Sequence, residues 1–379
     1  RDYKVTGVQT CALPISRQQM TAGGLKMNGK SGFLHSEAGP SPRTAIPEPV
    51  PSAAISEGGV EVSTQRSTNR QQMITVLNAI GSTPLVQLQR LAPANHAEVW
   101  LKLESQNPTG SYKDRMALAM IEAAEQRGEL RPDMGVLECT GGSTGSSLAL
   151  VCAAKGYRLV VISSDAYARE KLDSMRALGA ELLVEPSHQG QITPDLWPRM
   201  MTRARALLQE GNLYYTDQFN NRDAQAGYAR LGQEIVEGLG RVDAFCGMVG
   251  TAGMLMGVAE VLRGVHPQVR IVALEPSTSA VLSGGSAGAH RVDGTGSGFI
   301  PPQFEAELVS EVRPLDENLG RAMARRLARE EGIFAGTSTG MNVLAALELA
   351  AELGPGRVVV TVACDTGLKY LAGDLYNGD

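Results

Sequence analysis

Aromatic residues make up only 4% of the 379 residues, and the chain's five cysteines and five histidines form no cluster. Cys11, Cys139, Cys152, Cys246 and Cys364 stand far apart, without the short Cys or His spacings of a metal site, so no metal is expected. An odd cysteine count in a chain of this length argues against a disulfide framework and for buried free thiols in a reducing cytoplasm. No window approaches the ~18 apolar residues of a membrane span. The longest apolar stretch, from Met248 to Leu262, is interrupted by glycines. A net charge of −5 gives no electrostatic case for nucleic acid or an anionic membrane, which leaves small molecules as the expected partners.

What is abundant is glycine, 43 residues, against 43% hydrophobic and 20% charged residues. That balance suits an α/β protein with aliphatic strands and glycine-rich loops over a ligand. Residues 1–70 differ from the rest: they run through Gly, Ser, Pro, Thr and Gln, as in P-S-P-R-T-A-I-P-E-P-V-P-S from Pro40, with little periodicity. Such a segment reads as a disordered or non-native extension. Its opening, Arg1 to Ser16, resembles a translated junction, and Met20, Met27 and Met73 are candidate natural starts. The remainder is expected to form two domains, a smaller one over 71–222 and a larger one over 223–379, with some N-terminal segment crossing over.

From about Ile74 strands and helices alternate. Strands are expected over 98–104, 135–139, 158–163, 181–185, 244–249, 270–275 and 357–363. Helices are expected over 113–127, 146–155, 170–178, 194–210, 223–239, 255–263, 317–331 and 341–353. Alternation of this kind predicts mostly parallel twisted sheets covered by helices, with ligands at the carboxyl ends of the strands.

Four strand-to-helix loops stand out. In N-P-T-G-S-Y-K-D-R, Asn107 to Arg115, Ser111 can cap a helix whose first turn holds Lys113. A lysine there opposes the helix dipole, which suits an amine neutralised as an imine; the alternative is an exposed lysine beside Asp114. T-G-G-S-T-G, Thr140 to Gly145, offers backbone N–H groups to a carboxylate or a phosphate equally well. G-T-A-G-M, Gly250 to Met254, suits a single phosphate, although a glycine-rich helix start can also serve close packing alone. A-G-T-S-T-G, Ala335 to Gly340, taken singly is explained by helix capping.

Together with I-G-S-T-P-L-V-Q-L (Ile80 to Leu88) and G-T-G-S-G-F-I-P (Gly294 to Pro301), and in this order, the loops resemble the cysteine synthase family. That family groups O-acetylserine sulfhydrylases with cystathionine β-synthases among fold-type II pyridoxal-phosphate enzymes. The resemblance covers about Ile74 to Leu371. It implies a tryptophan synthase β-like α/β fold of two domains with the active site between them, and pyridoxal 5'-phosphate as cofactor. It makes Lys113 the Schiff-base lysine and catalytic base. Gly250, Thr251 and Gly253, in the loop that also holds Ala252 and Met254, would bind the cofactor phosphate. Ser338 would face the pyridine nitrogen. Thr140, Gly141, Gly142, Ser143 and Thr144 would receive the substrate carboxylate, with Gln218 as a second contact. Ser143 stands where the family usually has an Asn that contacts the cofactor ring oxygen. Met254 stands where a phosphate-binding Thr is customary, and T-G-G replaces T-S-G. These departures predict altered substrate preference with cofactor binding kept.

The activity implied is β-replacement: cysteine formed from O-acetylserine, or a similarly activated serine, and sulfide through an α-aminoacrylate. Rival readings are cystathionine formation from serine and homocysteine, desulfhydrase-type β-elimination, and a non-catalytic cofactor-binding regulator. The resemblance also implies a homodimer.

Overall fold

Short aliphatic strands fall alternately with helices along the chain, and the computed structural model describes residues 75–190, 193 and 195–377. The segment 1–70, Met73 and Pro194 lie outside the described residues. In chain order come β1 (Leu85–Gln87), β2 (Glu98–Lys102), α1 (Lys113–Arg127), β3 (Gly135–Cys139), α2 (Ser143–Lys155) and β4 (Arg158–Ser164). Next are α3 (Arg169–Ala177), β5 (Glu181–Glu185), α4 (Leu196–Glu210), β6 (Leu213–Tyr215), α5 (Asp223–Leu239) and β7 (Ala244–Met248). The chain continues through α6 (Gly253–Val265), β8 (Arg270–Pro276), β9 (Glu311–Leu315), α7 (Glu317–Arg326), α8 (Thr337–Leu353) and β10 (Val358–Val362).

The strands build two sheets, one of six strands in the order β1-β2-β10-β7-β8-β9 and one of four in the order β5-β4-β3-β6. Every pairing is parallel except β1 with β2. Parallel strands need helical crossovers, so both faces are covered and the central strands are mostly apolar, with Glu138 in β3 and Thr361 in β10 as buried exceptions. β3, β7 and most of β10 are buried accordingly. β1 and β2 precede the four-stranded sheet in the chain yet lie in the six-stranded one, beside β10. No described helix is long and apolar enough to cross a membrane.

At three of the glycine-rich loops the helix starts earlier than the sequence expectation. α2 begins at Ser143 rather than Ser146, α6 at Gly253 rather than Leu255, and α8 at Thr337 rather than Met341. Helical periodicity starts only at the first apolar residue, whereas the backbone turns earlier. Gly142 and Gly336 are extended residues that admit the turn, and Ala252 enters it with φ +68°, a conformation unusual for a residue with a Cβ. Ser143, Thr144, Thr337, Ser338 and Thr339 therefore sit inside first helical turns, while Thr140 and Thr251 precede them. The expected helix over 317–331 is corrected as well: α7 ends at Arg326 and widens into one π turn over Leu327–Glu331, closed by Gly332 at φ +71°.

Candidate active site

The carboxyl ends of β3, β7 and β10 bring the glycine-rich loops to one region. Lys113 is the first residue of α1, and Ser111 Oγ accepts its backbone N–H at 3.2 Å. Tyr112 N–H donates to Cys364 O at 3.0 Å and Thr366 N–H to Gly110 O at 2.9 Å, so the start of α1 is laced to the segment after β10. Thr339 Oγ1 accepts from the Cys364 N–H at 3.0 Å, which brings the Ser338 loop to the same place. Neither Lys113 nor Asp114 is exposed, against the alternative of a surface pair. Asp114 instead accepts the Thr109 N–H at 2.8 Å and the Thr109 hydroxyl, closing the loop.

Burial draws the Lys113 amine down to about 8, while Cys364 and Glu138 push it back up. No hydrogen bond or ion pair joins its Nζ to any described residue; the Tyr112 ring centroid lies 5.1 Å from it. A buried, partnerless amine lowered to about 8 gives up its proton more readily than an ordinary lysine, which suits covalent chemistry with a carbonyl.

Gly250 to Gly253 form a tight cradle at the start of α6. A Cβ on Gly250 would lie 2.2 Å from the Gly294 carbonyl oxygen, so that loop and the Gly294–Pro301 loop are in direct contact. A side chain at Gly250 would have to part the two loops. Thr251 is buried there. Met254 is not brought to the loop's mouth: its side chain packs in the core and its Cε would meet a Cβ on Gly247 at 2.8 Å.

In the loop after β3, the Thr140 hydroxyl accepts the Gly142 N–H at 3.2 Å, and a Cβ on Gly141 would strike the Tyr167 ring at 2.1 Å. The Thr144 hydroxyl donates to Gln218 Oε1 at 2.7 Å, which joins two of the sequence-selected residues directly. Ser143 Oγ receives the Lys369 ammonium at 3.1 Å.

Sequence reasoning missed Lys369 and its neighbours. Tyr370 donates to Asp365 Oδ2 at 2.8 Å, and Lys171, paired with Asp293, lies 5.2 Å from the Tyr370 ring centroid. Gln303 Nε2 donates to the Gln218 carbonyl at 2.8 Å, and a Cβ on Gly253 would lie 3.2 Å from Gln303 Oε1. Glu138, the polar residue in the buried β3, is the other omission. Burial lifts its carboxyl to about 7 although hydrogen bonds from Thr216, Gln218 and Cys139 pull it down and Asp217 pushes it up. The folded protein therefore binds a proton that the unfolded chain has released between about pH 4.5 and 7. Stability is expected to fall as pH rises through that window, by on the order of 3 kcal/mol from this group, and Glu138→Gln should flatten the slope in urea titrations.

The arrangement suits pyridoxal phosphate: an unpartnered amine, a glycine cradle whose space a Cβ would fill, and a neutral hydroxyl at Ser338 beside Lys113's own neighbour Cys364. No group of His, Cys, Asp and Glu that could hold a metal ion occurs among the described residues. Residues 76–365 match the family model described as pyridoxal-phosphate dependent enzyme. The chain is 40% identical over 307 residues to a cysteine synthase of Staphylococcus aureus, covering 80% of this chain and 97% of that protein. It is 39% identical over 308 residues to the O-ureido-L-serine synthase of Streptomyces lavendulae, covering 80% and 93%. A solved cysteine synthase of Entamoeba histolytica superposes with a TM-score of 0.77 at 32% identity, covering 85% of this chain and 95% of that one. Likeness along almost the full length of such relatives, with the loops in the same order, means that the chain belongs to the cysteine synthase family of fold-type II pyridoxal-phosphate dependent enzymes.

Proposed function

We propose that the protein catalyses β-replacement on an activated serine, O-acetylserine, with sulfide as nucleophile, and so makes cysteine. The observation that carries this reading is the position of Lys113: buried, without a partner, and laced through Cys364 to the Ser338 loop. Bound pyridoxal phosphate supplies an electron sink that makes the Cα–H of an attached amino acid acidic. Lys113 would hold the cofactor, and its Nζ would accept the Cα proton of the substrate. Gly250, Thr251, Ala252 and Gly253 hold the phosphate at the amino end of α6. Ser338, a neutral partner for the ring nitrogen, leaves the ring less protonated than a carboxylate would, which favours loss of a β-leaving group. Thr140, Gly141, Gly142, Ser143 and Thr144 bind and orient the substrate carboxylate at the amino end of α2, with the Gln218 amide beside them.

Relatives at nearly equal identity are named for two different products, so the nucleophile is tested directly. The visible absorption of the holoenzyme should change on adding O-acetylserine and return on adding sulfide, with cysteine released. A spectrum indifferent to O-acetylserine would overturn the choice of substrate. Return of the resting spectrum with another nucleophile, and none with sulfide, would overturn the choice of nucleophile. A homodimer is part of this reading and is checked by light scattering.

A further inference from the structure

Every residue of β3 is buried, and Glu138 puts a carboxylate in the middle of that apolar strand. Filling the volume alone would be done better by an aliphatic side chain, because an ionisable group in such surroundings is costly unless it is well satisfied. Glu138 is satisfied in a directional way. Oε1 accepts the Cys139 N–H at 2.8 Å; Oε2 accepts the Thr216 hydroxyl at 2.6 Å and the Gln218 N–H at 3.2 Å.

These donors lie where the sheet stops holding the chain. β6 is an edge strand of three residues that pairs with β3 only from Gly135 to Leu137, and the Thr216 N–H to Leu137 O bond at 3.1 Å is the next rung. Beyond it the two chains separate, one toward the Thr140–Gly145 loop and the other into Asp217–Asn221. From β3 the Glu138 carboxylate spans the gap, holding the Thr216 hydroxyl and the backbone N–H of Gln218, both in the segment that follows β6. From Gln218 the chain of contacts runs on to the Thr144 hydroxyl at 2.7 Å and back from Gln218 Nε2 to the Cys139 carbonyl at 3.4 Å.

We propose that Glu138 is a positioning residue for the amino-acid substrate, a buried latch that sets Gln218 against the Thr140–Thr144 loop. The proposal rests on the reading that Thr144 and Gln218 bind that substrate. Glu138 does not itself touch it: the carboxylate acts through the backbone N–H of Gln218, which fixes where the Gln218 amide lies.

The test is a double-mutant cycle on the holoenzyme with O-acetylserine as probe. Glu138→Gln removes the charge and turns one of the two accepting oxygens into an NH2 donor, set against either the Thr216 and Gln218 donors or the Cys139 N–H. It should raise KM about tenfold while kcat changes by less than about threefold. Gln218→Ala should do the same. The double variant should be no worse than Gln218→Ala, because the latch has nothing left to position. Independent, multiplying effects on KM would overturn the proposal, as would a lowered melting temperature with KM unchanged, since both describe a residue that only supports the core. Should Glu138→Gln fail to fold, Thr216→Val removes one of the two donors to Oε2 and keeps the carboxylate. It should raise KM in the same direction and be masked by Gln218→Ala, with additivity again decisive against. If Gln218→Ala alone leaves KM unchanged, the substrate reading falls and takes the latch with it. If Gln218→Ala raises KM and Glu138→Gln does not, the latch alone falls.

Discussion

Lys113→Ala is expected to lower turnover by about 10³-fold or more, since on the proposed function it removes both the covalent anchor and a base whose own contribution is typically 10²–10⁴-fold. Borohydride treatment of the unmodified holoenzyme should fix the cofactor to the peptide containing Lys113, seen by mass spectrometry. The variant should give no modified peptide although it still retains cofactor through the Gly250–Gly253 loop. The loss cannot be assigned to unfolding. Burial depresses the Lys113 amine to about 8, so its charged form costs stability in the cofactor-free protein below that pH, and the cost is relieved as pH rises from about 8 toward the ordinary lysine value. At pH 7 the cofactor-free variant should melt no lower than the parent, and a variant active within tenfold would remove Lys113 from the chemistry. Lys113→Arg should be as inactive as the alanine variant, because a guanidinium stays protonated and offers no free amine.

How much of this was legible beforehand depends on whether a feature is local. α1 and α5 begin and end where helical spacing predicts them, at Lys113–Arg127 and Asp223–Leu239, the first closed by Gly128 at φ +72° and the second by Gly240 at φ +66°. β1 and β6 escaped because three residues are too few to show alternation, and β9 because Arg313 and Pro314 read as loop on what is an edge strand. The glycine-rich loops could be found because each is a contiguous motif directly ahead of a helix, although the Ala335–Gly340 loop follows the π turn over Leu327–Glu331 and not the strand expected before it. Lys369, Tyr370 and Gln303 could not, since their placement depends on how the segment after β10 and the loop before β9 fold over the other loops. One signal for Glu138 was present and unused: a carboxylate in the otherwise apolar G-V-L-E-C, immediately ahead of a ligand loop. Met254 shows the reverse case, a residue inside a legible motif whose side chain turns to the core.

The charges around Arg115 lead to the second large expectation, a loss of about 3–5 kcal/mol in unfolding free energy for Arg115→Met. Arg115 lies two residues after Lys113, and its guanidinium is shared between two carboxylates. Nε and Nη2 reach Glu104 at 2.7 and 2.8 Å, while Nη1 and Nη2 reach Glu234, each at 2.8 Å. Lys102 completes the group, 2.6 Å from Glu234, and also donates to the Thr83 carbonyl. Glu104 is wholly buried, so without Arg115 its charge has only the Thr83 hydroxyl and the Asn107 amide to face it. The penalty belongs to that orphaned carboxylate, and Arg115→Met with Glu104→Gln should recover a good part of it, because a glutamine can still meet Thr83 and Asn107 without a charge. Glu234 gives the pH signature. Burial alone would raise its carboxyl, yet Arg115 and Lys102 hold it down at about 2, so the stability it contributes is present above the ordinary glutamate range and is lost as pH falls toward 2. Urea titrations at pH 7 and pH 3 should show the deficit of Arg115→Met shrinking at the lower pH, and a deficit that is pH-independent or below about 1 kcal/mol would show that the group is not held by charge. The same network anchors the helix that carries Lys113 to β2 and α5, so kcat of the folded variant should fall as well.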